Sequence, residues 1–137
     1  MVNQLPSEDQ FQSELAKAAV FHEEDPSQYY DIVKKIGYGG FARVFLCKRK
    51  SDGKECALKF IEPKNVKERE IIRNELGIMN MCAEGDGVIE CFQAFDFKSR
   101  LWIFLEFMDW GCLTPMVEER RGNIPENVCA YILYKTL

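Results

Sequence analysis

The chain has 137 residues, a net charge of −4, 47% hydrophobic residues and 29% charged residues. These values are typical of one modest globular domain. The acidic balance and the scattered basic residues exclude nucleic acid as an expected partner. No stretch reaches the ~18 consecutive apolar residues that a membrane span needs.

Six cysteines occupy positions 47, 56, 82, 91, 112 and 129, and no two of them form a Cys-x-x-Cys pair. Most of them lie inside apolar runs, so we expect free thiols in the core rather than disulfides or metal ligands. Free thiols are typical of a reducing compartment, and we therefore expect a cytoplasmic protein.

Residues 7–22 predict an N-terminal helix. Ser7 and Gln10 have the spacing of a capping box. Apolar side chains recur at helical spacing at Phe11, Leu15, Ala18 and Ala19. Because residues 25–27 (Asp-Pro-Ser) end the pattern, we expect this helix to dock on the flank of the domain.

Three strand-like stretches follow, over residues 30–36, 43–48 and 55–61. A glycine-rich turn joins the first two, and an Asp-Gly hairpin turn at residues 51–54 joins the second and third. Residues 65–81 predict a helix that Asn65 and Glu68 open as a capping box.

A second strand pair is predicted over residues 88–95 and 101–107, with residues 96–100 as its connection. Three strands, one helix and two strands make an α+β arrangement, an antiparallel sheet carrying one long helix. A short helix over residues 113–120 and a second helix after Pro125 complete the chain.

The glycine-rich turn has the chemistry of a phosphate site. Gly37 and Gly39 would let backbone N–H groups approach phosphate oxygens, and Phe41 at the tip could shield them from water. A dinucleotide-binding turn would open a helix, whereas a strand follows here. The Gly-Lys-Ser/Thr sequence of a P-loop is absent.

Two apolar residues and one ion pair would complete such a site. Val44 and Ala57 are small enough to sandwich an adenine ring. Lys59 lies between Leu58 and Phe60, and a buried ammonium needs an anionic partner. Glu75, in the middle of the predicted helix, is the candidate partner.

Simpler interpretations of this pair remain open. Lys59 could extend to solvent from an edge strand, and Glu75 could pair with a helix neighbour on the surface. Arg69, Glu70 and Arg73 are predicted to form the solvated face of the helix. The strand from residue 101 runs out into residues 109–111, whose backbone groups could bond the edge of a base.

These motifs together resemble the protein kinase family over residues 25–137. The glycine-rich loop and the Val-Ala-Ile-Lys-type strand, here Cys56-Ala57-Leu58-Lys59, are signatures of that family. The resemblance implies the nucleotide-binding N-lobe, with a five-stranded antiparallel sheet and one long helix. An N-terminal helix would precede this lobe, and the first one or two helices of an incomplete C-lobe would follow it.

The resemblance also implies roles for individual residues. In the family the loop covers the phosphates of ATP, and the strand lysine holds them while paired to a helix glutamate. Leu105 would guard the back of the pocket, and the backbone of Glu106 and Met108 would bond adenine. The implied nucleotide-binding set is Ile36, Gly37, Gly39, Val44, Ala57, Lys59, Glu75, Leu105, Glu106 and Met108.

Within the family, the chain is most similar to the sterile-twenty group, and especially to PAK-type serine/threonine kinases. The similarity is carried by residues 25–29, 70–79 and 101–106, and by the helix that precedes them. It implies ATP and Mg²⁺ as cofactors of the full-length enzyme. A protein substrate and a small Rho-type GTPase regulator are its implied partners.

The chain departs from the family pattern at two points. Ala42 replaces the third glycine of the loop, and the sequence contains no His-Arg-Asp or Asp-Phe-Gly motif. We therefore expect the catalytic base and metal ligands to lie beyond Leu137, and the isolated chain to be inactive. The expected division is an N-terminal helix and linker (1–28), the N-lobe (29–108), and the hinge exit with a truncated start of the C-lobe (109–137).

Two other functions stay open at this point. The chain could be a non-catalytic nucleotide-binding or protein-interaction module, either truncated or pseudokinase-like, or an unrelated α+β binding protein. Cys112 adds a separate hypothesis: it precedes the short helix after the hinge, and a thiol at a helix N-terminus tends to have a lowered pKa. An inert capping cysteine is the alternative.

Overall fold

The computed structural model describes residues 5–39, 42–109, 111–120 and 123–136. Within these ranges, no helix has the length and apolar character needed to cross a membrane. The described residues form two compact units. The first unit comprises the residues up to Glu84 together with Val88–Phe107, and the second comprises Gly85–Gly87 together with the residues from Met108 onward.

The first unit contains two helices and five strands. They are α1 (Glu8–Ala18), β1 (Tyr30–Gly39), β2 (Ala42–Arg49), β3 (Glu55–Ile61), α2 (Val66–Met81), β4 (Cys91–Phe97) and β5 (Arg100–Glu106). The strands form one antiparallel sheet in the order β1-β2-β3-β5-β4. The predicted α+β fold, with a five-stranded antiparallel sheet and one long helix, is confirmed.

The core consists of two clusters on opposite faces of the sheet. Successive side chains of a strand point to opposite faces, so β3 contributes Leu58 and Phe60 to one cluster and Ile61 to the other. The second cluster is completed by Ile72 and Leu76 of α2, together with Ala94, Leu101 and Ile103 of the sheet. The alternation therefore places α2 on the face of β3 that also carries Lys59.

Helix α2 begins at a capped end, as the sequence predicts, but its cap differs from a standard capping box. The Asn65 side chain accepts a hydrogen bond from the Glu68 N–H at 2.8 Å. The Glu68 carboxylate accepts one from the backbone N–H of Lys64 rather than from that of Asn65. The last turn reaches Met81, where the pattern predicts the end.

Two of the three residues predicted for the solvated face of α2 also contact the sheet. Arg69 and Arg73 both form ion pairs with the Asp96 carboxylate of β4. The Arg69 guanidinium also donates to the Ser99 carbonyl at 2.9 Å. The helix pattern alone cannot show this, because Asp96 comes from a different element and reaches α2 only in the folded sheet.

The N-terminal helix is shorter than predicted. The capping box of Ser7 and Gln10 is confirmed, but α1 ends at Ala18 instead of residue 22. The reason is a competing set of hydrogen bonds. The His22 N–H donates to the Ala94 carbonyl at 2.9 Å, and the His22 carbonyl accepts from the Asp96 N–H at 2.8 Å. His22 thereby pairs with the free edge of β4 and cannot continue the helix.

Two connections are tighter than the sequence predicts. Strand β1 extends through Gly39, so most of the predicted glycine-rich turn belongs to the β1–β2 ladder. The loop predicted at residues 96–100 reduces to a two-residue turn at Lys98 and Ser99, with φ of 50° and 62°. Positive φ at both central residues is typical of the hairpin turns that match strand twist.

The second unit contains α3 (Leu113–Glu119) and α4 (Glu126–Thr136), and α4 follows Pro125 as predicted. An ion pair of 2.8 Å between Lys135 Nζ and Asp86 Oδ2 joins α4 to the short segment Gly85–Gly87.

All six cysteines of the chain are free, as predicted. Cys47 and Cys56 are buried and Cys91 packs against the second core cluster, whereas Cys82 and Cys112 are exposed, so the expectation of core thiols is wrong for those two. Burial raises the pKa of Cys47 to about 12 and that of Cys56 to about 11, which leaves both protonated at neutral pH.

Candidate functional site

Strand pairing brings the candidate residues into two adjacent rows on the α2 face of the sheet. Lys59 pairs with Val44 of β2 and Ile103 of β5, and Ala57 pairs with Leu105 of β5. Directly paired residues of an antiparallel ladder point to the same face. Val44, Ala57, Lys59 and Leu105 therefore share one surface, although the sequence separates them widely.

Helix α2 supplies the acidic partner. The Lys59 Nζ lies 2.9 Å from the Glu75 Oε1, so the contact expected from the sequence is present. Lys59 is 32% exposed and Glu75 is 51% exposed, and the expectation of a buried cation is wrong. Because a pair this exposed contributes at most about 1 kcal/mol to stability, its main consequence is to fix where the ammonium lies.

The ion pair lies at a cavity of about 690 Å³ within the first unit. The structure brings five predicted site residues together in its wall, namely Val44, Ala57, Lys59, Glu75 and Leu105. Seven further residues complete the wall, and the sequence motifs did not indicate any of them as part of a site: Ala42, Ile61, Asn65, Lys67, Glu68, Ile71 and Ile72. Ile61 could have been found from the alternation of β3, because it shares a face with Ala57 and Lys59.

The other predicted site residues do not line this cavity. Ile36 lies at an irregularity in the β1–β2 pairing, Gly37 pairs with Val44, and Gly39 pairs with Ala42. Glu106, at the end of β5, donates its N–H to the Glu90 carbonyl at 2.8 Å. Met108 belongs to the second unit. Phe41, predicted at the tip of the loop, lies outside the described residues.

Residues 30–137 match the protein kinase domain family. The chain belongs to the protein kinase family. The match includes every strand of the sheet, helix α2 and both helices of the second unit. The family resemblance of the sequence is thus confirmed.

Individual relatives of this kinase chain are serine/threonine kinases. It is 32% identical over 130 residues to human serine/threonine-protein kinase PAK 4, an overlap of 95% of this chain and 21% of that protein. Rat PAK 5 is 32% identical over 111 residues, or 80% of this chain and 15% of that protein. Human serine/threonine-protein kinase Nek5 is 33% identical over 95 residues, or 68% of this chain and 13% of that protein.

The two PAK kinases support the PAK-type similarity of the sequence. Smooth-muscle myosin light chain kinase of Gallus gallus is also 33% identical, over 78% of this chain but only 6% of that protein. The kinase chain thus spans between 6% and 21% of the length of these relatives.

Electrostatics in the second unit single out Cys112, the residue that caps α3. Its thiol bonds the Thr114 hydroxyl at 3.3 Å and accepts from the Thr114 N–H at 3.5 Å. These two hydrogen bonds lower the pKa of the exposed Cys112 thiol below its usual value. The ligand types of a metal site do not gather here, since the described residues contain no cluster of three or more His, Cys, Asp or Glu.

Proposed function

We propose that the first unit is the ATP-binding lobe of a serine/threonine protein kinase. The observation that carries the proposal is the Lys59–Glu75 ion pair in the wall of a largely apolar cavity. A cavity of about 690 Å³ is in the range of small-molecule sites. Mostly apolar walls that also carry the Lys59 ammonium suit a ligand that is flat and apolar at one end and anionic at the other.

The residues present fit ATP in that sense. Val44, Ala57 and Leu105 offer apolar surface to the adenine ring, and the Lys59 ammonium offers its charge to the phosphate oxygens. Glu75 holds the ammonium in place before the nucleotide arrives, which avoids reorganisation on binding. When bound, ATP supplies the phosphoryl group for transfer to a hydroxyl.

Further contacts are proposed from the family resemblance. The backbone of Gly37 and Gly39 would approach the phosphates, Ile36 would border the base, and the backbone of Glu106 and Met108 would bond adenine. In protein kinases Mg²⁺ is held by the Asp-Phe-Gly aspartate and a catalytic-loop asparagine. Neither motif occurs in this sequence, so we assign no residue of the chain to the metal.

Replacing the lysine tests this proposal. Lys59→Met removes the cation at nearly constant length, and we expect the affinity for ATP to fall about tenfold or more, because a charge-assisted phosphate contact is lost. The measurement is titration of the pure chain with a fluorescent ATP analogue, competed by unlabelled ATP. Lys48→Met, at an exposed position of β2, is the matched control and should leave binding unchanged.

Two results would contradict the proposal. One is the absence of saturable ATP competition in the unmodified chain. The other is an equal loss of affinity in both lysine variants, which would indicate non-specific attraction between nucleotide and positive charge.

The activity of a longer protein is proposed on the same basis. We propose ATP- and Mg²⁺-dependent phosphorylation of serine or threonine in a protein substrate. We also propose that the chain divides into an N-terminal helix and linker (1–28), the N-lobe (29–108), and the hinge exit with the start of the C-lobe (109–137). A Rho-type GTPase regulator and a cytoplasmic location stay predictions from the sequence. We also propose that the 137-residue chain by itself transfers no phosphate.

A further inference from the structure

A further cavity lies on the face of the sheet opposite to α2. Side chains alternate along a strand, so the neighbours of Val44 and Lys59 in β2 and β3 point to this other face. Arg43 of β2 pairs with Phe60 of β3, and Phe60 pairs with Trp102 of β5. We name this cavity of about 260 Å³ the outer-face cleft, and its wall consists of Ile32, Arg43, Phe45, Phe60, Glu62, Arg100 and Trp102.

Aromatic rings form the floor of the outer-face cleft. Phe60 belongs to the first core cluster, and Phe45 and Trp102 pack against that cluster. Both rings meet the Phe60 ring edge to face, with centroid distances of 6.5 Å for Phe45 and 4.8 Å for Trp102. The Trp102 Nε1 is buried and has no acceptor among the described residues, which is uncommon for a polar group inside a protein. The floor is therefore apolar and closely packed, with one unused hydrogen-bond donor.

Two arginines border this floor and share one acid. The Arg100 Nε lies 2.6 Å from the Glu62 Oε1, and the Arg43 Nη2 lies 3.4 Å from the Glu62 Oε2. All three charged side chains are about half exposed. Within the described part of the chain, Glu62 is the only carboxylate that pairs with either arginine. Two positive charges thus face one negative charge, and the ten N–H donors of two guanidinium groups exceed what one carboxylate accepts.

The floor holds both guanidinium groups in place. The Arg43 guanidinium lies 4.7 Å from the centre of the Phe60 ring, and that of Arg100 lies 5.9 Å from it. Stacking on an aromatic face restricts an arginine side chain, and its planar fork of donors matches the two oxygens of a carboxylate. An incoming carboxylate therefore meets donors that are largely arranged before it binds, which lowers the entropic cost of binding.

The size and composition of the cleft fit the anchor of a peptide. Its volume of about 260 Å³ is below the ~300–1,000 Å³ of small-molecule sites. Aromatic residues and arginine are enriched in protein interfaces and among their hot spots. We propose that the outer-face cleft docks an acidic peptide segment of a partner protein. An apolar side chain of the segment packs on the aromatic floor, and a neighbouring carboxylate binds Arg43 and Arg100.

Nuclear magnetic resonance of the full chain tests this docking directly. The probes are four peptides Glu-Glu-X-Glu-Glu, in which X is Leu, Ile, Phe or Trp. Trp110→Phe leaves the indole N–H of Trp102 as the only signal of its kind, and at least one peptide should shift it saturably with a Kd below about 1 mM. The matched peptides Gln-Gln-X-Gln-Gln should bind about fivefold more weakly or worse, because they lack the charges. Failure of all four acidic peptides, or equal binding of both sets, would overturn the proposal.

Substitution of the arginines locates the site. Arg43→Gln and Arg100→Gln should each weaken binding of the acidic peptide about fivefold or more. Lys48→Gln is the matched control, because it removes one cation from an exposed position of β2 on the opposite face. Lys59→Met should also leave peptide binding unchanged, since the two cavities share no residue. An equal loss in all these variants would indicate non-specific attraction and contradict the proposal.

Glu62→Gln gives the opposite expectation and cannot be mistaken for a failure to fold. It removes the one negative charge that repels an acidic peptide, so binding should tighten about threefold or more. The matched peptides Lys-Lys-X-Lys-Lys should bind the unmodified chain poorly and gain nothing from the substitution. Weaker binding of the acidic peptides to Glu62→Gln, or preference for the basic set, would overturn the proposed sign of the partner.

Other occupants of the cleft are distinguished by two further measurements. Sedimentation of the unmodified chain should show no dimer that Arg43→Gln abolishes, because such a dimer would make a second copy the occupant. A single-stranded oligonucleotide should not displace the acidic peptide at equal concentration. Either result would replace the proposed partner. The inference does not rest on the nucleotide site, so loss of ATP binding with intact peptide binding would refute only the proposed function.

Discussion

At the scale of single residues, the period of a β-strand determines which side chains line the cavity. Ala57, Lys59 and Ile61 lie on one face of β3, while Cys56, Leu58 and Phe60 fill the cluster behind it. A shift of one residue in register would turn Lys59 into the apolar cluster, at the cost of burying a charge. The identity of the strand lysine was therefore predictable from the residues that flank it.

Cys112 carries a prediction at this scale. Its exposed thiol has a lowered pKa, and we expect iodoacetamide to label it faster than any other cysteine of the chain at pH 7.5. A lower pKa means that the reactive thiolate forms at lower pH, so the rate should reach half its maximum below the pH expected for an ordinary thiol. Peptide mass spectrometry of a time course measures both quantities.

Three comparisons control that measurement. Burial raises the pKa of Cys91 to about 11, and the buried Cys56 has a similarly raised pKa, so both should label slowly. Cys82 is exposed and controls for access. Thr114→Val should slow Cys112 by removing the hydroxyl that contributes most to its low pKa; if Cys112 labels no faster than Cys82, the thiol is an inert cap.

At the scale of elements, helix α2 is joined to the sheet by charge as well as by its apolar face. Ile72 and Leu76 supply the apolar contact, and Arg69 and Arg73 both bind one carboxylate of β4, that of Asp96. Asp96 retains 21% exposure, so these pairs are less solvated than an ordinary surface pair. The orientation of α2 depends on both kinds of contact.

Substitution of Asp96 tests the contribution of charge. Asp96→Asn keeps the shape and the backbone hydrogen bonds of β4 but removes the charge that faces two guanidinium groups. We expect the free energy of unfolding to fall by about 1.5 kcal/mol, the lower end of the range for hydrogen bonds to charged groups, because the arginine side chains are partly exposed. Urea denaturation followed by circular dichroism measures it.

Asp31→Asn is the control for that substitution. Asp31 forms a more exposed pair with Lys50 at 3.4 Å, and its loss should change stability by less than about 0.5 kcal/mol. Equal effects of the two substitutions would show that the Asp96 carboxylate contributes no more to the free energy of unfolding than an exposed charge does.

At the scale of the whole molecule, the chain contains the residues of the proposed nucleotide site, while its sequence lacks the motifs that serve phosphoryl transfer in protein kinases. Transfer in protein kinases depends on a catalytic aspartate that positions the nucleophile and on residues that hold Mg²⁺. The motifs that supply them do not occur in the 137 residues. We therefore expect no transfer from [γ-³²P]ATP to a basic protein substrate above the no-enzyme background.

The transfer assay needs a variant that separates this chain from a contaminating kinase. Lys59→Met, purified in the same way, provides it. Sustained incorporation by the unmodified chain that the variant loses would contradict the proposal that the isolated chain is inactive. Incorporation that both proteins show equally would indicate a contaminant.

Local patterns in the sequence determined the element order, the family and most element bounds. The Asp-Gly turn, the capping residues Ser7 and Asn65, and the alternation of β3 act between near neighbours, so their consequences can be predicted from the chain itself. The same holds for the choice of Lys59 and Glu75, because each is a charge inside an apolar pattern. Such signals need no knowledge of the remainder of the fold.

Tertiary structure alone decided the early end of α1 at Ala18, the pairing of Arg69 and Arg73 with Asp96, and the close contact of Gly77 with Leu15 of α1. Each depends on a partner from a distant segment: β4 for His22 and for the two arginines, and α1 for the glycine. The free energy of such contacts arises only when the segments meet, and a helical pattern carries no information about what packs against it.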